Sequence, residues 1–238
     1  MIIEIITLFP DGVRTMLSES MLARAQNAGA VDIEYVQLRK FATDKHGTVD
    51  DKPFGGGPGM VLKAEPVARA LEHLSEKRPT PKPRVLYTSP QGRRFDQAHA
   101  EELAGEQRIT ILCGHYKGLD QRALDTLIDE EVSIGDFILT GGEPAAVVIV
   151  DAVVRLLPGV LGDPESARGD SFTRGLLDHP HYTQPADWRG LTPPEVLLSG
   201  HHAKVEQWRQ EQAERATRER RPELYERWLA RKGEKPSW

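Results

Sequence analysis

The stretch EEVSIGDFILTGGEPAAVVIVDAVVRLL, residues 130–157, decides the fold. Its first part, EEVSIGDFIL (130–139), reads as a strand. It turns at Gly141-Gly142 and continues as GEPAAVVIVDAVVRLL (142–157), an apolar helix. Pro144 falls in the first turn of that helix, where an N–H has no intrahelical partner to lose. The same strand-to-helix alternation precedes it. MIIEIITLF (1–9), VDIEYVQL (31–38), RVLYTS (84–89) and RITILCG (108–114) read as strands. Residues 13–27, AEPVARALEHL (64–74), FDQAHAEELA (95–104) and DQRALDTLID (120–129) read as helices. Strands alternating with helices predict an α/β domain around a mostly parallel sheet, buried on both faces.

Past LLPGVLG (156–162) the texture changes. GDPESARGDSFTR (162–174) is small and polar, and from about residue 188 the pattern is helical, with Trp208, Tyr225 and Trp228 as packing residues. The expected organisation is a core of 1–161, a flexible linker of 162–174 and a small all-helical domain of 175–238.

Composition narrows the class. Of 238 residues, 39% are hydrophobic and 28% charged, which suits a globular chain. One cysteine, Cys113 in ITILCG, excludes an internal disulfide and any multi-cysteine zinc site, and reads as a buried strand residue. MIIEIITLFP lacks a basic leader, and no apolar run reaches the ~18 residues of a membrane span. A cytoplasmic protein without membrane attachment is expected. The net charge is −5, but residues 201–238 hold 10 Lys+Arg against 7 Asp+Glu, a balance of +3 that leaves −8 for the rest. A basic end hints at an anionic partner, although a helix with salt-bridged faces would have the same composition.

Three strands end in small, turn-forming residues: YTSPQG (87–92), CGHYKG (113–118) and SIGDFILTGGEP (133–144). In an open parallel sheet, ligands bind beyond the carboxyl ends of strands. Three such loops at one edge predict a cleft lined by backbone amides and carbonyls, suited to a ligand such as an adenosine. A further run, DDKPFGGGPGM (50–60), is nearly bare of side chains. It matches neither the Walker loop nor G-x-G-x-x-G, yet Asp50, Asp51 and Lys52 before its glycines and Pro58 at their end give it a shaped look. The histidine pairs of HPHY (179–182) and GHH (200–202) lack zincin spacing, and there is no G-x-S-x-G. Arg155, near the end of an apolar helix, needs a carboxylate or ligand partner or must snorkel, and Asp170 lies in the polar segment.

Taken in order, ITLFP, DDKPFGGGPGM, LYTSPQG, LCGHYKGLDQR, SIGDFILTGGE, LLPGVLG, DSF, GLLDHPHYTQP and VLLSGHHAK span nearly the whole chain. They make it similar to the bacterial tRNA (guanine-N1)-methyltransferases, the TrmD family of the SPOUT class. The resemblance implies methyl transfer from S-adenosyl-L-methionine to N1 of the guanine immediately 3′ of the anticodon, tRNA position 37. It also implies a homodimer and a sheet tied in a deep trefoil knot, which sequence physics would not suggest. Carried over by position, Tyr87, Thr88, Ser89 and Pro90 would hold the donor, with Gly114 and Tyr116 from the second loop. The third loop would add Ser133, Ile134, Gly135, Asp136, Phe137, Ile138, Leu139, Gly141, Gly142 and Pro144. Asp170 would be the general base for the guanine N1 proton, and Arg155 would stabilise charge on O6. Asp50, Pro58, Gly59 and His181 would contact the target nucleotide, the bare glycine loop leaving room for a flipped base. Residues 175–238 would bind tRNA. Mg2+ is allowed as an accessory ion, with no ligands assigned. The chain departs from the family pattern at CGHYKG, where Arg is usual at His115 and Glu at Lys117. Two other readings stay open on the residues: an RNA-binding protein without catalysis, and a methyltransferase of the same class acting on another base.

Overall fold

The computed structural model describes residues 1–162 and 169–233. The chain divides into two compact units, Met1–Gly162 and Asp163–Trp238. Residues 163–168 of the expected linker, and 234–238 at the end of the expected helical domain, lie outside the described residues.

The first unit is built on a five-stranded sheet. Its strands are β1 (Ile2–Thr7), β2 (Asp32–Gln37), β5 (Arg84–Arg94), β6 (Arg108–Leu112) and β7 (Glu130–Ser133), in the order β2-β1-β6-β5-β7. Every adjacent pair is parallel. A separate antiparallel pair, β3 (Asp50–Asp51) and β4 (Val61–Leu62), brackets the glycine loop. Helices α1 (Pro10–Leu17), α2 (Ser20–Asn27), α4 (Gln97–Ala104) and α6 (Glu143–Val154) contribute to one apolar core, and α3 (Ala64–Lys77) and α5 (Gln121–Leu127) to the other. The sheet is therefore covered on both faces, as strands without a polar side require. Successive residues of β1 divide accordingly: Ile3 and Ile5 join the first core and Ile6 the second.

Glu4 breaks the apolar pattern of β1 yet is fully buried. Its carboxylate accepts hydrogen bonds from Arg108 Nη2 at 2.8 Å, Arg108 Nε at 3.1 Å and Thr110 Oγ1 at 2.6 Å. Arg108, equally buried, also donates to the Leu74 carbonyl at 2.9 Å, tying the sheet to α3. Both charges are satisfied by each other and by neighbouring polar groups, the condition for burying them at all.

Several elements differ from expectation. The helix expected over 13–27 is two helices, broken where Ser20 adopts a φ of 52°. The strand expected over 84–89 runs on to Arg94 through a register shift, because its two ends pair the same residue, Val132, from Thr88 and from Arg93. The strand expected over 130–139 ends at Ser133. Residues 134–139 are apolar but not strand, and Phe137, Ile138 and Leu139 are exposed. Alternation alone cannot tell an apolar loop from an apolar strand.

The second unit holds α7 (Glu195–Leu198), α8 (His202–Arg220) and α9 (Pro222–Gly233). The helical pattern expected from 188 begins at Glu195. Tyr225 and Trp228 stack at 5.6 Å, and Trp208 lies 6.3 Å from the ring of His179. Thr217, the buried residue of α8, donates to the Ala213 carbonyl and accepts from the Leu177 N–H at 2.8 Å, joining the segment before the helices to α8. No helix of the described residues is long and apolar enough to cross a membrane.

Candidate active site

β6, β5 and β7 are neighbours in a parallel sheet, so the carboxyl ends of β6 and β7 emerge beside the register-shifted stretch of β5 that holds YTSPQG (87–92), which is strand and not the turn expected there. There the three stretches wall a cleft of about 450 Å³, within the range of small-molecule sites. The first contributes Tyr87, Thr88, Ser89 and Pro90, and the second Gly114 and Tyr116. The third contributes Ser133, Ile134, Gly135, Phe137, Ile138, Leu139, Gly141 and Gly142. Asp136 and Pro144 are not among the lining residues; Pro144 lies in the first turn of α6. Sequence reading assigned no role to Glu131, Gln91, Gln121 or Lys117, all of which reach the cleft. The signal for Glu131 was a charged residue inside a strand.

The loops touch at one point. Gly142 N–H donates to the Gly114 carbonyl at 2.7 Å, and Gly114 N–H donates to Thr88 Oγ1 at 2.9 Å. A Cβ on Gly142 would fall 2.6 Å from the Gly114 nitrogen, a distance no side chain tolerates. Behind this contact Thr7 Oγ1 donates to the buried Glu143 carboxylate at 2.7 Å, anchoring the start of α6 to the end of β1. Cys113 is buried beside it, and its thiol is pushed well up by burial and by Glu143, so it stays protonated and inert. Tyr87 at the cleft floor is pushed up to about 12 by burial and by Glu131, with the Leu119 amide pulling the other way.

The glycine loop reaches the cleft through its second half. Lys117 N–H donates to the Met60 carbonyl at 2.8 Å, and Leu62 N–H to the Gly118 carbonyl at 2.9 Å. Burial and the Asp50 carboxylate raise the Tyr116 phenol, while Arg39 lowers it. Gly55, Gly56 and Gly57 all have positive φ and open space around them, and Phe54 beside them is 98% exposed. Pro58 is exposed as well. The loop is shaped by backbone conformations open to glycine and is bare because it projects.

Arg155 caps the C-terminus of α6 and is half-buried. Asp170 and His181 belong to the second unit. His181 Nε2 lies 2.8 Å from the Asp178 carboxylate. Burial would raise Asp178, but the bonds from His181 and from the His179 N–H outweigh it and hold the carboxyl below its ordinary value. Asp178, His179 and His181 bring three metal-ligating atoms within 4.8 Å of one another. Two imidazoles do not suit Mg2+, which takes oxygen ligands, so this group gives the accessory ion no support.

A parallel sheet whose strand ends carry such a cleft defines an α/β protein with room for a small ligand at the position where sheets of this class hold one. Comparison with known proteins is more specific. Residues 1–227 match the model of the family described as tRNA (Guanine-1)-methyltransferase TrmD. The chain is similar to the tRNA (guanine-N(1)-)-methyltransferase of Anoxybacillus flavithermus, 53% identical over 94% of this chain and 91% of that one. It is likewise similar to the proteins of that name from Exiguobacterium sibiricum, 54% identical over 94% and 90%, and Geobacter metallireducens, 53% over 94% and 91%. The chain belongs to this family of methyltransferases.

Proposed function

We propose that this protein transfers a methyl group from S-adenosyl-L-methionine to N1 of the guanine immediately 3′ of the tRNA anticodon. The observation that carries the reading is the cleft between β5 and the ends of β6 and β7, bordered by nearly every residue assigned to the donor and closed by the Thr88–Gly114–Gly142 contact. Glycines at that contact leave room for backbone amides and carbonyls to meet a nucleoside. When bound, the donor supplies a methyl group on a cationic sulfur.

The residues of the chain then have one task, to free the guanine lone pair. Asp170 accepts the N1 proton as the N–C bond forms, and the electrons of the breaking C–S bond remain on sulfur. Arg155, always protonated, stabilises the charge that spreads to O6. His181 and the loop from Asp50 through Pro58 and Gly59 contact the target nucleotide. The second unit, with its basic helices, binds tRNA phosphates.

The tight loop crossing also supports the deep trefoil knot that the family resemblance implies. The exposed apolar side chains of Phe137, Ile138 and Val148 support a homodimer. A protein that modifies tRNA is expected in the cytoplasm.

The test is nucleoside mass spectrometry of tRNA incubated with the protein and S-adenosyl-L-methionine. N1-methylguanosine should form, and a tRNA carrying adenosine at that one position should gain none. Methylation of another base, or none at all, would overturn the reading.

A further inference from the structure

We propose that Lys117 forms a subsite for the carboxylate of the donor's amino-acid end, and that Gly59 lacks a side chain so that the lysine stem can lie across it. The proposal rests on the reading that the cleft holds S-adenosyl-L-methionine.

Among the described residues, Lys117 is the one lysine or arginine lining the cleft. Among the described residues, no carboxylate lies within the 4.0 Å of an ion pair with its ammonium. Glu131 lines the same cleft and is likewise outside ion-pair distance of any cation among those residues. The cleft thus offers one charge of each sign, neither ion-paired among the described residues. The donor's amino-acid end carries a carboxylate beside an ammonium. A carboxylate entering such a cleft seeks a cation, and Lys117 supplies it.

The lysine is also held. Its N–H donates to the Met60 carbonyl at 2.8 Å. A Cβ built on Gly59 would fall 2.8 Å from Lys117 Cγ and 3.0 Å from Cε. The methylene stem therefore runs flat along the glycine, whose φ of +93° further disfavours any other residue. Confining the stem reduces the rotamer entropy lost when the ammonium engages a ligand.

The experiment is calorimetric titration of the full-length protein with three probes: S-adenosyl-L-methionine, its decarboxylated form, and 5′-methylthioadenosine, which lacks the amino-acid end. Lys117→Met should weaken the first about tenfold, as loss of one charged hydrogen bond at an exposed site implies. It should leave the other two unchanged. Lys117→Arg should retain most of the affinity, and Gly59→Ala should weaken S-adenosyl-L-methionine selectively. Equal affinity of Lys117→Met and wild type for S-adenosyl-L-methionine would overturn the subsite. So would a loss shared by all three probes. A wild-type protein that binds neither S-adenosyl-L-methionine nor methylthioadenosine would instead remove the donor reading, and the subsite with it.

Discussion

The N–H of Gly142 donates to the carbonyl of Gly114 at 2.7 Å. This bond joins the loops that follow β6 and β7, and Thr88 joins β5 to the same point. Gly142→Ala would drive a methyl against the Gly114 nitrogen and Thr88 Oγ1. Overpacking of this kind costs about 1–3 kcal/mol. The expected outcome is a folded variant with a lower denaturation midpoint and at least tenfold weaker binding of S-adenosyl-L-methionine. Normal donor affinity would mean that the contact does not shape the site.

Glu4 and Arg108 make a second test, of the fold rather than the cleft. Removing one partner of a buried ion pair leaves the other charge uncompensated, at about 3–5 kcal/mol. Arg108 also holds the Leu74 carbonyl of α3, so Glu4→Ala should loosen that helix together with β1. Urea denaturation should give a loss in this range. A loss below about 1 kcal/mol would mean that water or a neighbour replaces the carboxylate.

Asp170→Asn should slow single-turnover methyl transfer by about 10²–10⁴-fold at saturating tRNA and donor, while donor affinity is retained. Arg155→Ala should slow the same step and weaken tRNA binding as well. A rate for Asp170→Asn within a few-fold of wild type would send the proton by another route.

Lys204 and Arg220, exposed at the two ends of α8, probe the tRNA surface. Phosphate contacts release counterions, so tRNA affinity should fall as salt rises. Replacing both residues with glutamate should weaken tRNA binding and flatten its salt dependence, with donor binding unchanged. An unaltered salt slope would move the tRNA surface elsewhere.

Tyr87 sets a pH dependence. Its phenol is pushed up to about 12 in the folded protein, whereas an unfolded tyrosine ionises near pH 10. Between these values the folded state keeps a proton that the unfolded state has lost. The contribution is therefore full below about pH 10 and is lost as pH rises through about 12. Tyr87→Phe should show a smaller stability loss than wild type between about pH 9 and about pH 11, measured by urea denaturation. Equal losses would show that this phenol ionises normally.

The alternation of β1, β2, β5, β6 and β7 with helices was legible in the sequence, and so was the apolar α6 with Pro144 in its first turn. Backbone periodicity and proline chemistry are local, and local patterns survive without a fold. The turns that wall the cleft after β6 and β7 could be read as well, because small residues after a strand announce a turn, whereas the third expected turn, YTSPQG, is part of β5. Three things were not legible. The burial of Glu4 depends on Arg108, 104 residues away in sequence, which only strand pairing brings within reach. The end of β7 at Ser133 depends on what Ile134 to Leu139 find opposite them, and that is a cleft rather than a strand. The bareness of Gly59 is explained by the stem of Lys117, a contact between two loops. Each of these was decided by tertiary structure, because each depends on an atom supplied by a distant part of the chain.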